Sequence, residues 1–121
     1  MKRPMPFDFL LNDLPANIIV KPAIGMFYIY FNHKIVLIFR KTNKNPQHNG
    51  IWISTTREHH DSLKADIPAI SEFQLDEGID SAWLLLSDQH DDFENAAVRI
   101  CQLVSNKDPR IGKVTPTSTA L

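Results

Sequence analysis

The chain has few of the residues that build the common chemical sites. It contains a single cysteine, Cys101, so neither an internal disulfide nor a paired-cysteine metal site can form. Only four glycines are present, and the sequence has neither a glycine-rich phosphate loop nor a Gly-x-Ser-x-Gly nucleophile motif. Nothing in the sequence therefore fixes a reaction, and we expect no cofactor and no bound metal.

Long apolar runs are also missing. No segment approaches the roughly 20 apolar residues that span a bilayer, because Lys34 and Arg40 interrupt the most apolar stretch. Basic residues precede apolar ones at the start, as in a secretion signal, but Asp8, Asn12 and Asp13 break the apolar region. We therefore expect a cytoplasmic protein with no membrane partner.

Acidic residues are absent from a long central stretch. Residues 58–108 are strongly acidic, and the net charge of −1 lets the two halves neutralise each other across the fold or across a homo-oligomer interface. The near-neutral total favours this interpretation, and the alternative is a basic surface that attracts an anionic partner such as nucleic acid. Residues 14–57 contain no Asp or Glu, and their basic residues are Lys21, Lys34, Arg40, Lys41, Lys44 and Arg57.

Aromatic and β-branched residues concentrate in residues 25–56, which we interpret as three consecutive strands. Residues 26–31 and 34–40 are short apolar runs separated by Asn32 and His33, which predicts a β-hairpin with a two-residue turn. In the register of such a turn, Phe27, Ile29 and Phe31 share one face with Val36 and Ile38, while Met26, Tyr28 and Tyr30 share the other with Ile35, Leu37 and Phe39.

Both faces of this hairpin are apolar. An antiparallel sheet with one solvated face alternates apolar and polar residues, so we expect each face to be covered by helices, by other strands or by a second copy of the chain. The sequence therefore also predicts self-association, as in a homodimer.

The whole pattern predicts one α+β domain over residues 1–108. We expect an antiparallel sheet of about five to six strands with two or three helices packed on it. A short helix at 6–14 precedes a first strand at 17–21 that Pro22 closes, and a further strand pair follows at 70–75 and 82–86. Residues 109–121 lose periodicity, and we expect a turn followed by a mobile C-terminal tail.

Two helices are indicated in the acidic half. Thr55 and Glu58 have the spacing of a capping box, so a helix is expected from Thr55 until Pro68 stops it. Asp91 is the expected cap of the last helix, whose apolar residues recur at steps of three and four. This stripe consists of Phe93, Ala96, Ala97, Ile100, Cys101 and Val104.

The strongest candidate for catalysis is the run Glu58-His59-His60-Asp61, because imidazoles and carboxylates serve as metal ligands and as acid or base catalysts. Neighbours on a helix point about 100° apart, and the HExxH spacing is absent, so the pattern favours a solvated helix start. A small metal-assisted or acid/base hydrolase that uses His59, His60 and Asp61 is the alternative function.

The favoured function is a non-enzymatic module that binds a protein or a nucleic acid through the basic half of the sheet. Aromatic residues interleaved with Lys and Arg can stack on bases, although aromatics at strand spacing more often form core. The candidate binding residues lie in or near the polar loop 42–50. They are Arg40, Lys41, Lys44, His48, Trp52 and Arg57.

The order of elements, together with the runs IGMFYIYFNHKIVLIF, IWISTTREHHDSLKADIPAI, SAWLLL and DDFENAAVRICQLV, resembles the small YjbR-like family and the related TfoX N-terminal domain. The resemblance covers about residues 25–105, with Gly25, Trp52 and Trp83 at the matching positions. It implies a compact α+β "double wing" domain with a suggested role in binding DNA.

Overall fold

The structure is a computed structural model that describes residues 5–72 and 82–114. One antiparallel sheet organises it, and the sheet consists of β1 (Ile19–Ala23), β2 (Met26–Phe31), β3 (Lys34–Arg40), β4 (Gly50–Ile53), β5 (Ser71–Glu72) and β6 (Leu84–Ser87). The strand order across the sheet is β1-β2-β3-β4-β6-β5. Every neighbouring pair is antiparallel, so the predicted α+β class and strand number are confirmed.

The helices of the described residues are short, apart from the last. The α-helices are α1 (His60–Asp66) and α2 (Phe93–Ser105), and 3-10 helices occupy Asp8–Asp13, Pro46–His48 and Arg57–His59. The apolar stripe predicted for α2 is buried throughout. The helix begins one residue later than expected, because Asp92 and not Asp91 is its N-cap residue.

The hairpin of β2 and β3 turns at Asn32 and His33, as predicted. Both residues have positive φ, 56° and 64°, which is the backbone conformation of a two-residue turn that matches the twist of its strands. The predicted register is wrong beyond the first two pairs. A β-bulge leaves Val36 without a partner on β2, so Ile29 pairs with Leu37 and not with Val36.

Because of this single extra residue, the side chains of β3 beyond Val36 lie on the faces opposite to those predicted. Leu37 and Phe39 join Phe27 and Ile29 in the main core, whereas Ile38 lies with Tyr28 on the opposite face. A shift of one residue has this effect because side chains alternate between the two faces of a strand.

The main core lies on one face of the sheet, which we call the helix face. Leu10 from the first 3-10 helix, Leu63 from α1 and Ile100 from α2 are fully buried there against the strands. Phe7 packs edge-on against Phe39, with 5.9 Å between ring centroids. This face therefore has the cover that its apolar residues require.

The opposite side, which we call the open face, has a smaller apolar cluster. Tyr30, Ile35 and Ile38 are buried at its centre. The partly buried residues around them are Met26, Tyr28, Trp52 and Trp83. Within the described part of the chain, no helix contributes a side chain to this cluster, so helical cover of both faces is not observed.

Two local predictions fail for identifiable reasons. Thr55 does not cap a helix, because it is buried and its hydroxyl donates to the carbonyl of Arg110 at 2.6 Å. The first strand does not end at Pro22, which pairs with Phe27 inside β1. Proline is tolerated there because β1 is an edge strand.

The residues that follow the predicted domain pack against the sheet at the start of the predicted turn and tail. Ile111 is buried in the main core, the N–H of Gly112 donates to the carbonyl of Ser54 at 2.8 Å, and Lys113 exchanges two backbone hydrogen bonds with Ile35. Residues 111–113 therefore pack against the sheet, and Lys113 pairs with Ile35 of β3 as an isolated β-bridge. The rest of the predicted tail, residues 115–121, and residues 73–81 of the predicted strand pair lie outside the described residues.

Candidate functional site

The open face presents one row of side chains that crosses the sheet. Strand register places Lys21 opposite Tyr28, Tyr28 opposite Ile38, Ile38 opposite Trp52, and Trp52 opposite Leu85. Directly paired residues of antiparallel strands share a face, so these side chains stand side by side. The row places one lysine and two aromatic rings on the face to which the described helices do not contribute.

The two rings of this row are accessible and well separated. Tyr28 and Trp52 are each partly exposed, and the strand between them sets their backbones about 10 Å apart. The indole N–H of Trp52 donates to the carbonyl of His48 at 2.9 Å, which fixes the orientation of the ring. Trp83 is partly exposed at the margin of the same cluster, so both tryptophans of the protein belong to the open face.

Arg40 lies at the end of the open face, and it is buried. Its Nη1 donates to the carbonyl of Asn45 at 3.0 Å and to Oδ1 of Asn49 at 2.8 Å, and its Nη2 donates to the carbonyl of Lys44 at 2.8 Å. All three acceptors are neutral. Burial lowers the pKa of Arg40, although a guanidinium remains charged in proteins.

These bonds fold the loop that follows β3 back over the arginine. Asn49, which is also buried, accepts from the N–H of Thr42 at 3.0 Å and donates to its carbonyl at 2.8 Å. The Thr42 hydroxyl donates to the carbonyl of Lys44 at 2.8 Å, so Lys44 O accepts from both Thr42 and Arg40. The predicted loop is therefore an ordered structure built around one cation.

An open groove of about 490 Å³ lies between this loop and the turn that joins β1 to β2. Arg40 lines it at the sheet, and Ile24, which is 97% exposed, stands on the turn side. The groove is therefore basic along one wall and apolar along the other. Its lining residues are Ile24, Met26, Arg40, Lys41, Thr42, Asn43 and Lys44.

The charges of the two halves pair across the fold only in part. Lys41 donates to the nearly buried carboxylate of Asp88, which joins the basic half to the acidic half, while Lys64 pairs with Glu72 inside the acidic half. Among the described residues, Lys21 and Lys44 form no ion pair. The basic half therefore keeps charge that the described acidic residues do not neutralise.

The structure brings some of the predicted binding residues together and separates others. Arg40, Lys41 and Lys44 line one groove, and His48 adjoins Trp52 through the hydrogen bond to its carbonyl. Arg57 does not line that groove, because it lies on the short 3-10 helix that leads into α1.

The histidine run does not form one site. His60 is buried, with Nε2 2.5 Å from the carbonyl of Ala82 and Nδ1 3.6 Å from Glu72, whereas His59 lies beside Glu58 at 3.7 Å. Asp61 is exposed. In residues 5–72 and 82–114, no group of three or more His, Cys, Asp or Glu side chains could hold a metal ion.

Sequence reasoning missed two members of the site. The sequence predicts a strand that includes Lys21, but the place of Lys21 beside Tyr28 depends on the pairing of β1 with β2, which no local pattern encodes. Ile24 lies between the predicted first strand and the predicted hairpin, and its exposure shows only in the folded chain. The alternation of Tyr28 with buried Phe27 and Ile29 was the available signal for the open face.

The described residues contain no helix that is long and apolar enough to cross a membrane. Comparisons with protein-family models, with curated proteins and with solved structures returned no match.

Proposed function

We propose that this protein is a non-enzymatic module that binds single-stranded nucleic acid on the open face. One observation carries the proposal: Tyr28 and Trp52 stand in one row of a sheet face that no described helix covers, with Lys21 at the end of that row. Aromatic rings on an exposed sheet are the platform on which unpaired bases stack, and such stacking is worth about 1 to 3 kcal/mol per base.

The charges around the face fit the same ligand. Lys21 flanks the row on β1, and Arg40, Lys41 and Lys44 line the groove at the end of the face. A cation near the stacked bases would neutralise the phosphates that connect them. The protein as a whole is nearly neutral, so this local charge and not the net charge would attract the strand.

A single strand suits this surface better than a duplex. Stacking on Tyr28 and Trp52 requires bases with free faces, and a duplex keeps its bases stacked on one another. The resemblance to YjbR-like proteins points to a nucleic acid in general, and the partly exposed rings narrow the proposal to unpaired strands.

The test is a titration of the protein with a fluorescent oligonucleotide of about 12 nucleotides. Both tryptophans lie on the open face, so we expect their fluorescence to be quenched as the labelled strand gains anisotropy. Each phosphate contact adds about −0.7 to the slope of log affinity against log salt for single strands, and we expect a slope of roughly −2 to −3.

Tyr28→Ala removes one stacking ring and should weaken binding by about 1 to 3 kcal/mol, whereas Tyr28→Phe should bind nearly as the parent does. Phe9→Ala is the matched control, because Phe9 is an exposed aromatic residue on the first 3-10 helix, outside the open-face cluster. Circular dichroism checks that each variant is folded.

Equal affinity for single-stranded and duplex probes, or equal binding by Tyr28→Ala and the parent, would contradict the proposal. Light scattering provides the other decisive outcome. If the protein forms a dimer at the concentrations used, and Tyr28→Ala makes it monomeric, the open face is an interface between two copies and not a nucleic-acid surface.

A further inference from the structure

We infer that the groove between residues 23–26 and 40–45 is a binding site for a phosphate group, with Arg40, Lys41 and Lys44 as its ligands. The inference goes beyond the proposed function, because the site would accept a phosphate on any carrier, either a small phosphate ester or a nucleic-acid backbone.

The first argument is the isolation of the Arg40 charge. Arg40 is 9% exposed, and its acceptors are two backbone carbonyls and the side-chain amide of Asn49. No carboxylate of the described residues pairs with it. Buried charges in proteins are normally paired, so a buried guanidinium that faces a groove without a counter-ion indicates an anionic ligand.

The second argument is the number of donors that Arg40 retains. A guanidinium carries five N–H groups, and the three hydrogen bonds to the loop leave Nε–H and one Nη2–H. These donors belong to adjacent nitrogen atoms, and paired N–H groups of this kind bind the oxygen atoms of phosphate in a bidentate manner. Arg40 thus anchors the loop with one part of its side chain and leaves another available.

The third argument is that the neighbouring cations are positioned in advance. Arg40 and Thr42 both bond to the carbonyl of Lys44, so the backbone that carries Lys44 is fixed before any ligand arrives. Lys41 is 54% exposed and pairs with Asp88, which lowers its contribution but leaves Arg40 and Lys44 without a competing carboxylate among the described residues. Preorganised contacts cost less entropy on binding.

The apolar wall narrows the class of ligand. Ile24 and Met26 line the groove opposite the loop, and Ile24 is almost fully exposed. An apolar or aromatic group attached to the phosphate would cover them, so the groove fits a phosphate ester of such a group better than inorganic phosphate. Phenyl phosphate is the simplest probe with these two parts, and phenol is the matching neutral control.

The experiment is an NMR titration of the full chain that follows the Arg40 Nε–H signal and the backbone amides of 41–45. We expect phenyl phosphate to shift these signals at lower concentration than inorganic phosphate, and phenol to leave them unchanged. Arg40→Gln would also release the loop, so Lys44→Gln is the informative variant, with an expected loss of roughly fivefold in affinity. Lys107→Gln, an exposed lysine that does not line the groove, is the matched control and should bind as the parent does.

Four outcomes separate this inference from the proposed function. Shifts caused by a single-stranded oligonucleotide at the same signals would identify the phosphate as that of a nucleic-acid backbone. Shifts by phenyl phosphate without quenching by the oligonucleotide would support the site and contradict the proposed function. Quenching by the oligonucleotide, together with an Arg40 signal that phenyl phosphate does not move, would overturn the phosphate site alone. A Lys44→Gln variant that binds phenyl phosphate as tightly as Lys107→Gln does would also overturn it.

Discussion

Asn49 and Thr42 are joined by two hydrogen bonds, in which the side-chain amide of Asn49 both accepts from and donates to the backbone of Thr42. The amide thereby makes the two hydrogen bonds that the backbone of a neighbouring strand would make to Thr42, just beyond the end of β3. Since Asn49 Oδ1 also accepts from Arg40, one buried side chain holds both the loop and the cation beneath it.

Asn49→Ala should therefore be destabilising. Removing the amide leaves a backbone N–H, a backbone carbonyl and a guanidinium donor without their partner, and each unsatisfied buried group costs about 1 to 3 kcal/mol. We expect the free energy of unfolding in urea to fall by at least about 2 kcal/mol. Asn43→Ala is the exposed control, and equal stability of the two variants would show that the amide does not close the loop.

Gly50 is a second position where substitution should be severe. Its φ is +136°, and a Cβ built there would lie 2.1 Å from the carbonyl oxygen of Leu86 on the neighbouring strand. Gly50→Ala thus combines backbone strain of about 1 to 3 kcal/mol with a clash against backbone that cannot move freely.

Gly112→Ala is the matched control for that variant. Gly112 also has positive φ, +117°, but its nearest neighbour would be Cδ of the Lys34 side chain at 3.1 Å, which can move aside. In thermal melts, we expect the melting temperature of Gly112→Ala to be well above that of Gly50→Ala. The reverse order would contradict the close approach of β4 and β6.

Arg110 should make stability depend on pH in the acid range. It donates to Asp108 and Asp66, and these hydrogen bonds are the main cause that lowers the pKa of both carboxyls. A carboxyl with a lowered folded-state pKa stabilises the fold above its unfolded pKa of about 4, and this contribution disappears as the pH falls through the folded-state value. The free energy of unfolding should decline as the pH drops below about 4.

Arg110→Gln should flatten that decline and lower stability at neutral pH by about 1 to 3 kcal/mol. Lys107→Gln removes the same single positive charge at an exposed position nearby in sequence. Its free energy of unfolding should therefore depend on pH as that of the parent does. The measurement is urea unfolding of the three proteins at several pH values. Parallel plots of the free energy of unfolding against pH for the parent and Arg110→Gln would show that Arg110 does not cause the dependence.

Cys101 should be unreactive toward thiol reagents in the folded protein. It is fully buried on α2, and burial, together with the nearby charge of Asp13, raises the pKa of its thiol to about 12. Because the thiolate is the reactive form, a thiol reagent at about pH 8 should label the native protein far more slowly than the unfolded chain. Rapid labelling of one thiol without denaturant would mean that α2 opens easily from the sheet.

The hairpin shows how much of this fold is readable in the sequence. Asn32 and His33 between two apolar runs predict the turn, and both residues adopt the positive φ that the turn requires. The bulge that leaves Val36 unpaired is not readable, because residues on both sides of it are apolar and either register buries them. If apolar and polar residues had alternated along β3, the sequence would have indicated the shift in register at the bulge.

Some features of the candidate site can be predicted from the sequence, and others depend on the fold. Arg40, Lys41 and Lys44 are close in sequence, so their convergence follows from local chemistry. Burial of Arg40 does not, because it depends on the loop turning back over the sheet through Asn49. Outside the site, the hydrogen bond from Arg110 to Asp66 is not readable in the sequence either, since the two residues lie 44 positions apart.

The edges of the sheet limit how separate copies of the chain can meet. In residues 5–72 and 82–114, β1 forms one edge and contains Pro22, which has no N–H to offer an incoming strand, and β5 at the other edge consists of Ser71 and Glu72. Short or proline-interrupted edges discourage strand-to-strand growth into fibrils. In concentrated solution, copies of this protein should therefore meet through the faces of the sheet and should resist forming continuous sheets between molecules.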